Sequence, residues 1–224
     1  MPFEIPTEEE LEAVKELKEK IISENIDCNL TEIGILRFYR GRKRVMEDAT
    51  RAIIRHAQWR LENDVNNYKS FDISNEVAKR KACHGFDKNG RPVIFVLVRR
   101  HKTSDRDIDE LHKFIIHSIE ETIANSNPQE QRMVLVFDLS NFTFDSMDYE
   151  AVKLLISVLG YNYPESLEVV HIINEPWIFK ACWAIIRGWL DPVTAAKVNF
   201  IPQSNLIEYI DESQIPIEIR ESLP

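Results

Sequence analysis

Residues 161–200 read YNYPESLEVVHIINEPWIFKACWAIIRGWLDPVTAAKVNF. The stretch spells a short strand, a helix apolar on nearly every face and a second strand, with its few polar residues at the joints. Leu167–Ile173 is rich in β-branched residues, with only Glu168 and His171 polar, which predicts a central strand covered on both faces. Pro164 stops whatever precedes it. Asn174 and Glu175 lead into Pro176, which suits a first helical turn because the N–H that proline lacks has no partner there. Between positions 177 and 190 only Lys180 and Arg187 are charged. A helix apolar all round is normally buried in a core or in a membrane, and about 14 residues, roughly 21 Å, cannot span a bilayer. Trp177, Trp183 and Trp189 belong to a residue type favoured where one end is apolar and the other wet. Asp191-Pro192 ends the helix. Two readings stand: a core helix of an α/β domain, or a movable lid over an apolar cavity that can touch a membrane. The layout suits a cavity with a small polar end, as a lipid requires, better than a polar catalytic centre.

The chain of 224 residues has room for one large domain, or a domain plus a small helical one. Its net charge of −9 argues against a general nucleic-acid binder. Six glycines count against phosphate-cradling loops, and neither G-x-G-x-x-G nor G-x-x-x-x-G-K-[ST] occurs. Cys28, Cys83 and Cys182 are scattered, in no metal spacing, and read as reduced thiols of a cytosolic protein. With no signal peptide and no long apolar run, the expectation is a cytoplasmic, monomeric chain.

Residues 1–6 read as a loose lead. Thr7 and Glu10 fit a capping box, and Leu11, Val14, Leu17, Ile21 and Ile22 follow at helical spacing. A second helix is predicted over 31–39, then five cations between positions 37 and 44, either a solvated helix end or a phosphate contact. A third helix over 47–63 completes a helical subdomain of residues 1–66, with the main domain in 67–224. A strand over 77–83, turn chemistry at 87–90 and a strand over 93–98 make a hairpin. A polar loop precedes a helix over Ile108–Ala124. His112 and His117 do not share a helix face, so no metal site is expected there. A strand over 133–139 contains Asp138, which either points into a site or holds the next loop. An amphipathic helix over 148–159 follows.

Several segments resemble a known family. Ile35-Leu36-Arg37-Phe38-Tyr39-Arg40-Gly41-Arg42-Lys43 with Gln58-Trp59-Arg60, the turn His84-Gly85-Phe86-Asp87-Lys88-Asn89-Gly90-Arg91-Pro92-Val93, VFDLSNFT, and YPESL…HIINEPWIF…DPVTAAKVNF are similar, in order and spacing, to the motifs of CRAL-TRIO proteins. The resemblance covers roughly residues 30–210 and is strongest to the secretory-pathway phosphatidylinositol transfer proteins. It implies the CRAL-TRIO fold: an N-terminal helical subdomain, then a mixed β-sheet flanked by helices around an apolar lipid cavity. It also implies headgroup-binding residues, which fall on Arg42, Lys43, Glu165, Thr194 and Lys197. A phosphodiester wants cations and a hydroxyl donor, and inositol hydroxyls want a carboxylate. The gate and membrane-contact residues expected are Trp177, Ile178, Trp183, Ile186 and Trp189.

Some positions depart from the family. Members that also carry phosphatidylcholine place a serine and a threonine where Met133 and Leu135 stand, and an arginine often stands where Ser166 does. Apolar side chains cannot donate to a buried phosphate, so the expected second ligand is a less polar lipid, such as a sterol. Asn141 replaces a glycine, and the tail around Ile215-Pro216-Ile217 lacks the family's two glycines. The expected partners are phosphatidylinositol, a second apolar lipid and, transiently, a membrane surface. Neither cofactor nor metal is expected. A lipid-presenting module that stimulates a phosphoinositide kinase or docks a partner protein stays open as an alternative. An enzyme is not expected, since no G-x-S-x-G elbow or Cys-His pair stands out.

Overall fold

The computed structural model describes residues 4–221. Residues 1–3 of the expected lead, and residues 222–224, lie outside the described residues. Helix α1 (Glu8–Ser23) opens with the expected capping box: Thr7 Oγ1 accepts from the Glu10 N–H at 3.2 Å, and the Glu10 carboxylate accepts from the Thr7 N–H at 3.2 Å. α2 (Glu32–Gly41) is capped by the Thr31 hydroxyl, and α3 (Met46–Glu62) follows. The three helices share a core of their own around Val14, Leu17, Leu36, Phe38, Ala49 and Ile53. Leu11 and Ile22 do not join it and are exposed. Ile22 lies roughly 100° further round the helix than buried Ile21, outside the stripe that α2 and α3 cover.

α4 (Ser74–Ala78) and the turn after it take the place of residues 77–81 of the strand expected over 77–83. Its buried Glu76 carboxylate accepts from Lys81 Nζ at 2.7 Å and Lys79 Nζ at 3.0 Å, stitching the helix to the chain entering β1 (Ala82–Phe86). The 87–90 turn forms as read: Asp87 Oδ1 accepts from the N–H groups of Asn89 and Arg91, and Gly90 N–H donates to Asp87 O at 2.9 Å. β2 (Pro92–Leu97), α5 (Ile108–Ala124), β3 (Met133–Asp138), α6 (Tyr149–Asn162) and β4 (Leu167–Ile173) come next. α7 (Phe179–Arg187), α8 (Pro192–Ala196), β5 (Val198–Phe200), α9 (Leu206–Tyr209) and α10 (Ile217–Arg220) complete the order.

The strands form one sheet in the order β1-β2-β3-β4-β5, with β1 antiparallel to β2 and the other neighbours parallel. Sequential order with crossovers of one hand lands every crossover helix on the same face. Residues of α5, α6 and α7 accordingly share one cluster with Ile94, Met133, Leu135, Val170 and Ile172. The opposite face, with Val93, Phe95, Leu97, Val134, Val136 and Ile173, has no crossover helix. It is covered by the C-terminal tail through Leu206, Ile210, Ile215 and Ile219. This is how the tail packs without the family's glycines. The glycine that matters is Gly85 on β1, where an added Cβ would meet Gln214 O at 2.6 Å.

The two faces are closed to different degrees. On the tail side Val93, Phe95, Leu97, Val136 and Ile173 are wholly buried. On the helix side Val96 and Phe137 stay half-buried although they lie on inner strands, as do Val152, Leu155, Ile156 and Leu159 of α6. Well-packed interiors leave no such gaps.

Asp138, at the end of β3, is buried and holds the next loop. It accepts from Arg99, from Ser140 N–H at 2.9 Å and Oγ at 2.8 Å, and from Asn174 Nδ2 at 2.9 Å. Asn141, in the glycine's place, has φ 54°, a left-handed conformation that asparagine tolerates.

Candidate functional site

The basic run at the end of α2 is divided by its partners. Arg37 is buried and donates to Gln131 O. Arg40 Nε and Nη2 donate to the Glu10 carboxylate at 2.9 and 2.7 Å, and Arg44 Nε donates to it at 3.0 Å. Hydrogen bonds from Arg40 hold the Glu10 carboxyl down at about 2, against the opposing effect of burial. Arg42 and Lys43 have no ion pair with a carboxylate among the described residues, and they are the two cations that the family resemblance singles out. Helix α2 ends there because Lys43 and Arg44 are both left-handed, at φ 54° and 61°.

Gly41 sets this corner against the Tyr163–Ser166 turn. A Cβ at position 41 would lie 2.9 Å from Pro164 Cβ and 4.0 Å from Glu165 Cγ. Glu165 is itself left-handed, at φ 57°. Its carboxylate lies 3.8 Å from Lys197 Nζ, which donates to Leu167 O at 2.8 Å. Thr194, one turn before Lys197, hydrogen-bonds through Oγ1 to Asp191 Oδ2 at 2.5 Å. The structure therefore sets the Glu165 carboxylate near Lys197, whose backbone N–H donates to Thr194 O at 3.1 Å, and seats the Gly41 corner, next to Arg42 and Lys43, against the Glu165 turn. Three cations, a hydroxyl and a carboxylate at one edge of the sheet can pair with a phosphodiester and with polyol hydroxyls.

Sequence reasoning missed Asp191 as a member of this group. It also accepts from the Val193 and Thr194 N–H groups at 2.9 and 3.0 Å. Burial works against its charge, but the Thr194 hydroxyl and these amides hold its carboxyl below the usual range. The N-cap signature Asp-Pro-x-Thr could have found it.

The residues expected to form a gate separate into inward and outward sets. α7 is shorter than the helix expected over 177–190. Residues 176–179 and 185–190 close through tight turns, with Phe179 N–H on Pro176 O at 2.9 Å and Gly188 N–H on Ile185 O at 3.1 Å. The expected burial of an all-apolar helix also fails. Phe179, Cys182 and Ile186 are buried against the sheet, while Ala181, Ala184 and Ile185 face outward. Among the described residues nothing packs on the far side of α7, so composition alone does not bury it. Trp177 is 81% exposed. Ile178 is half-buried, Trp183 packs edge-on to Phe200 at 5.2 Å, and Trp189 lies edge-on to Tyr149 at 5.6 Å under Lys153 Nζ. Ile185 and Val193, not singled out in the sequence, are exposed.

Among the described residues no helix is long and apolar enough to cross a membrane. No group of three or more His, Cys, Asp or Glu side chains among them could hold a metal ion.

Residues 81–219 match the family model described as CRAL/TRIO domain. Over 95% of its length the chain is 34% identical to "Phosphatidylinositol transfer protein CSR1" of Eremothecium gossypii, covering 53% of that protein. It is 28% identical to "CRAL-TRIO domain-containing protein C3H8.02" of Schizosaccharomyces pombe, over 85% of this chain and 45% of that one. It is also 28% identical to Clavesin-1 of Rattus norvegicus, over 85% of this chain and 57% of that one. The chain thus spans about half the length of these relatives. Among solved structures, "Crystal structure of Sfh5" superposes with a TM-score of 0.77 at 18% identity, over 92% of this chain and 85% of that one. The matched motifs, the family model over most of the chain and the shared fold lead to one conclusion: this chain belongs to the CRAL/TRIO family.

Proposed function

We propose that the chain binds phosphatidylinositol and exchanges it between membranes. The observation that supports this reading is the Gly41 corner, next to Arg42 and Lys43, seated against the turn of Glu165, whose carboxylate lies 3.8 Å from Lys197 Nζ, beside a sheet face that its helices close only loosely. The similarity to a protein named for phosphatidylinositol transfer supports it. Arg42, Lys43, Lys197 and the Thr194 hydroxyl take the phosphodiester, and Glu165 and Asp191 accept from inositol hydroxyls. Thr194 and Lys197 exchange their present partners, Asp191 and Leu167 O, for the headgroup. Without such partners a charged headgroup at the mouth of an apolar space would not recover its desolvation cost.

The acyl chains occupy the space between the sheet and α6 and α7. Each buried CH₂ contributes about 0.8 kcal/mol, so release into water is slow and α7 opens at a membrane. Trp177 and Ile185 touch the bilayer, while Ile186 and Trp183 hold the gate shut. In this reading residues 1–66 form a helical subdomain that supplies Arg42 and Lys43, and residues 67–224 hold the lipid. The second ligand is a lipid less polar than phosphatidylcholine. Met133 and Leu135 present no hydroxyl on the helix side of β3, and Ser166, wholly buried, spends its own on Tyr163 O. Exchange forms and breaks no covalent bond.

Native mass spectrometry with lipid extraction, on protein from a eukaryotic host, tests the reading. Phosphatidylinositol at about one per chain is expected, since one headgroup site is assigned. Recovery of only a sterol or a fatty acid would overturn the headgroup assignment and leave the apolar space.

A further inference from the structure

We infer that the outward face of α7 docks on an anionic lipid bilayer, with Lys180 and Arg187 reading its charge. The inference rests on the proposed gate, and it adds which membrane the gate selects. With Phe179, Cys182 and Ile186 turned inward, helical geometry sets Lys180 and Arg187, seven residues apart, in one row on the exposed side. Neither pairs with a carboxylate among the described residues, so both charges are open to solvent. Lys153 adds a third cation at the end of α7, 4.7 Å over the Trp189 ring. Positions 176–190 carry two cations and no carboxylate in a chain of net charge −9.

That contrast decides the occupant. An anionic surface repels a chain of this net charge at long range. Screening cuts that repulsion within about 8 Å at physiological salt, so the charges on the contacting face govern docking. Trp177, 81% exposed, and Ile185, 47% exposed, supply the apolar part of the contact. A neutral bilayer would engage these two and leave the unpaired cations without a counter-charge. Each basic residue near an anionic surface strengthens binding about fivefold.

The test is vesicle flotation of the full chain, with its co-purified lipid, on phosphatidylcholine vesicles with or without phosphatidylserine. Binding is expected to be stronger on the anionic vesicles and to fall with added salt. The Lys180→Gln/Arg187→Gln variant is expected to lose about 25-fold on anionic vesicles, from about fivefold per cation, and nothing on neutral ones. Trp177→Ala is expected to weaken both alike and keep their ratio. Equal binding to both vesicle types overturns the inference. So does a double variant that keeps the preference. Binding to neither vesicle also overturns it and leaves the face to a protein partner. Lipid extraction separates the two readings. Anionic preference without bound phosphatidylinositol sinks the headgroup assignment alone, and bound phosphatidylinositol without preference sinks the docking face alone.

Discussion

Gly41 and Pro164 meet so closely that a β-carbon on the glycine would stand 2.9 Å from the proline's own. The contact joins the end of α2 to the turn that carries Glu165, two pieces of chain more than a hundred residues apart in sequence. It is the hinge-point of the proposed headgroup site, because Arg42 and Lys43 follow directly on one side and Glu165 on the other.

Gly41→Ala should therefore impair the site more than the fold. The extra methyl has a rigid ring as neighbour, so the corner must shift. Overpacking costs about 1–3 kcal/mol, partly offset by the roughly 1 kcal/mol that alanine gains over glycine in a helix. A loss of less than about 2 kcal/mol in urea stability is expected, from the balance of those terms, together with weakened phosphatidylinositol binding. Unchanged lipid content and transfer rate would show that the corner does not position the headgroup cations.

Lys197→Ala removes a cation beside Glu165 and an N–H donor to Leu167 O. A hydrogen bond to a charged group contributes about 1.5–3 kcal/mol, which corresponds to a loss of roughly 10- to 100-fold in phosphatidylinositol affinity. Arg42→Ala should act in the same direction. A vesicle-to-vesicle transfer assay reads both, and a neutral-lipid probe should transfer as before.

Glu10 holds the N-terminal helices together. Its side chain is 3% exposed and receives both Arg40 and Arg44. Glu10→Gln should cost about 2–3 kcal/mol, below the roughly 3–5 kcal/mol of a fully buried pair because Arg44 is half-exposed and Arg40 keeps Glu4 O. The carboxyl is depressed in the fold to about 2. Its contribution is therefore present above the ordinary glutamate value of 4.5 and is lost as pH falls through the folded value. Chemical denaturation at neutral pH and at successively lower pH should show the wild type converging on the variant.

His56 also loses stability as pH falls, but because the fold favours its neutral form rather than its charged one. Its ring is buried among Phe38, Trp59 and Tyr163. Burial, against a hydrogen bond with Asn162, pushes its folded value from 6.5 down to about 4. The unfolded chain takes up this proton first, so stability falls as pH drops from about 6.5 towards 4, by roughly 3 kcal/mol for this group. His56→Phe should remove that slope. Denaturation curves of both proteins across that window give the difference, and parallel curves would show that His56 is not buried neutral.

Much of the fold was legible because it rests on local pattern. The capping box at Thr7 and Glu10, the bounds of α5 and β4, and the Asp87 turn follow from periodicity and turn chemistry within a few residues. The boundary at α4 was not, because it depends on Glu76 finding Lys81 across the turn. In the site, the family resemblance marked Arg42, Lys43, Glu165, Thr194 and Lys197, whereas Asp191 went unnoticed because Asp191-Pro192 was read as the end of the preceding helix and not as the cap of α8.

The basic run and α7 mark the boundary between the two kinds of information. Residue order alone determined that five cations cluster at the end of α2 and that residues 177–190 are nearly all apolar. Only the tertiary structure decided that Arg40 and Arg44 are bound by Glu10 and Arg37 is buried, leaving Arg42 and Lys43 unpaired by carboxylates among the described residues. It also decided that α7 covers the sheet with one face and turns the other outward. The reason is physical. Periodicity acts through neighbours three or four residues away, while ion pairing and burial depend on which distant segments the fold brings into contact.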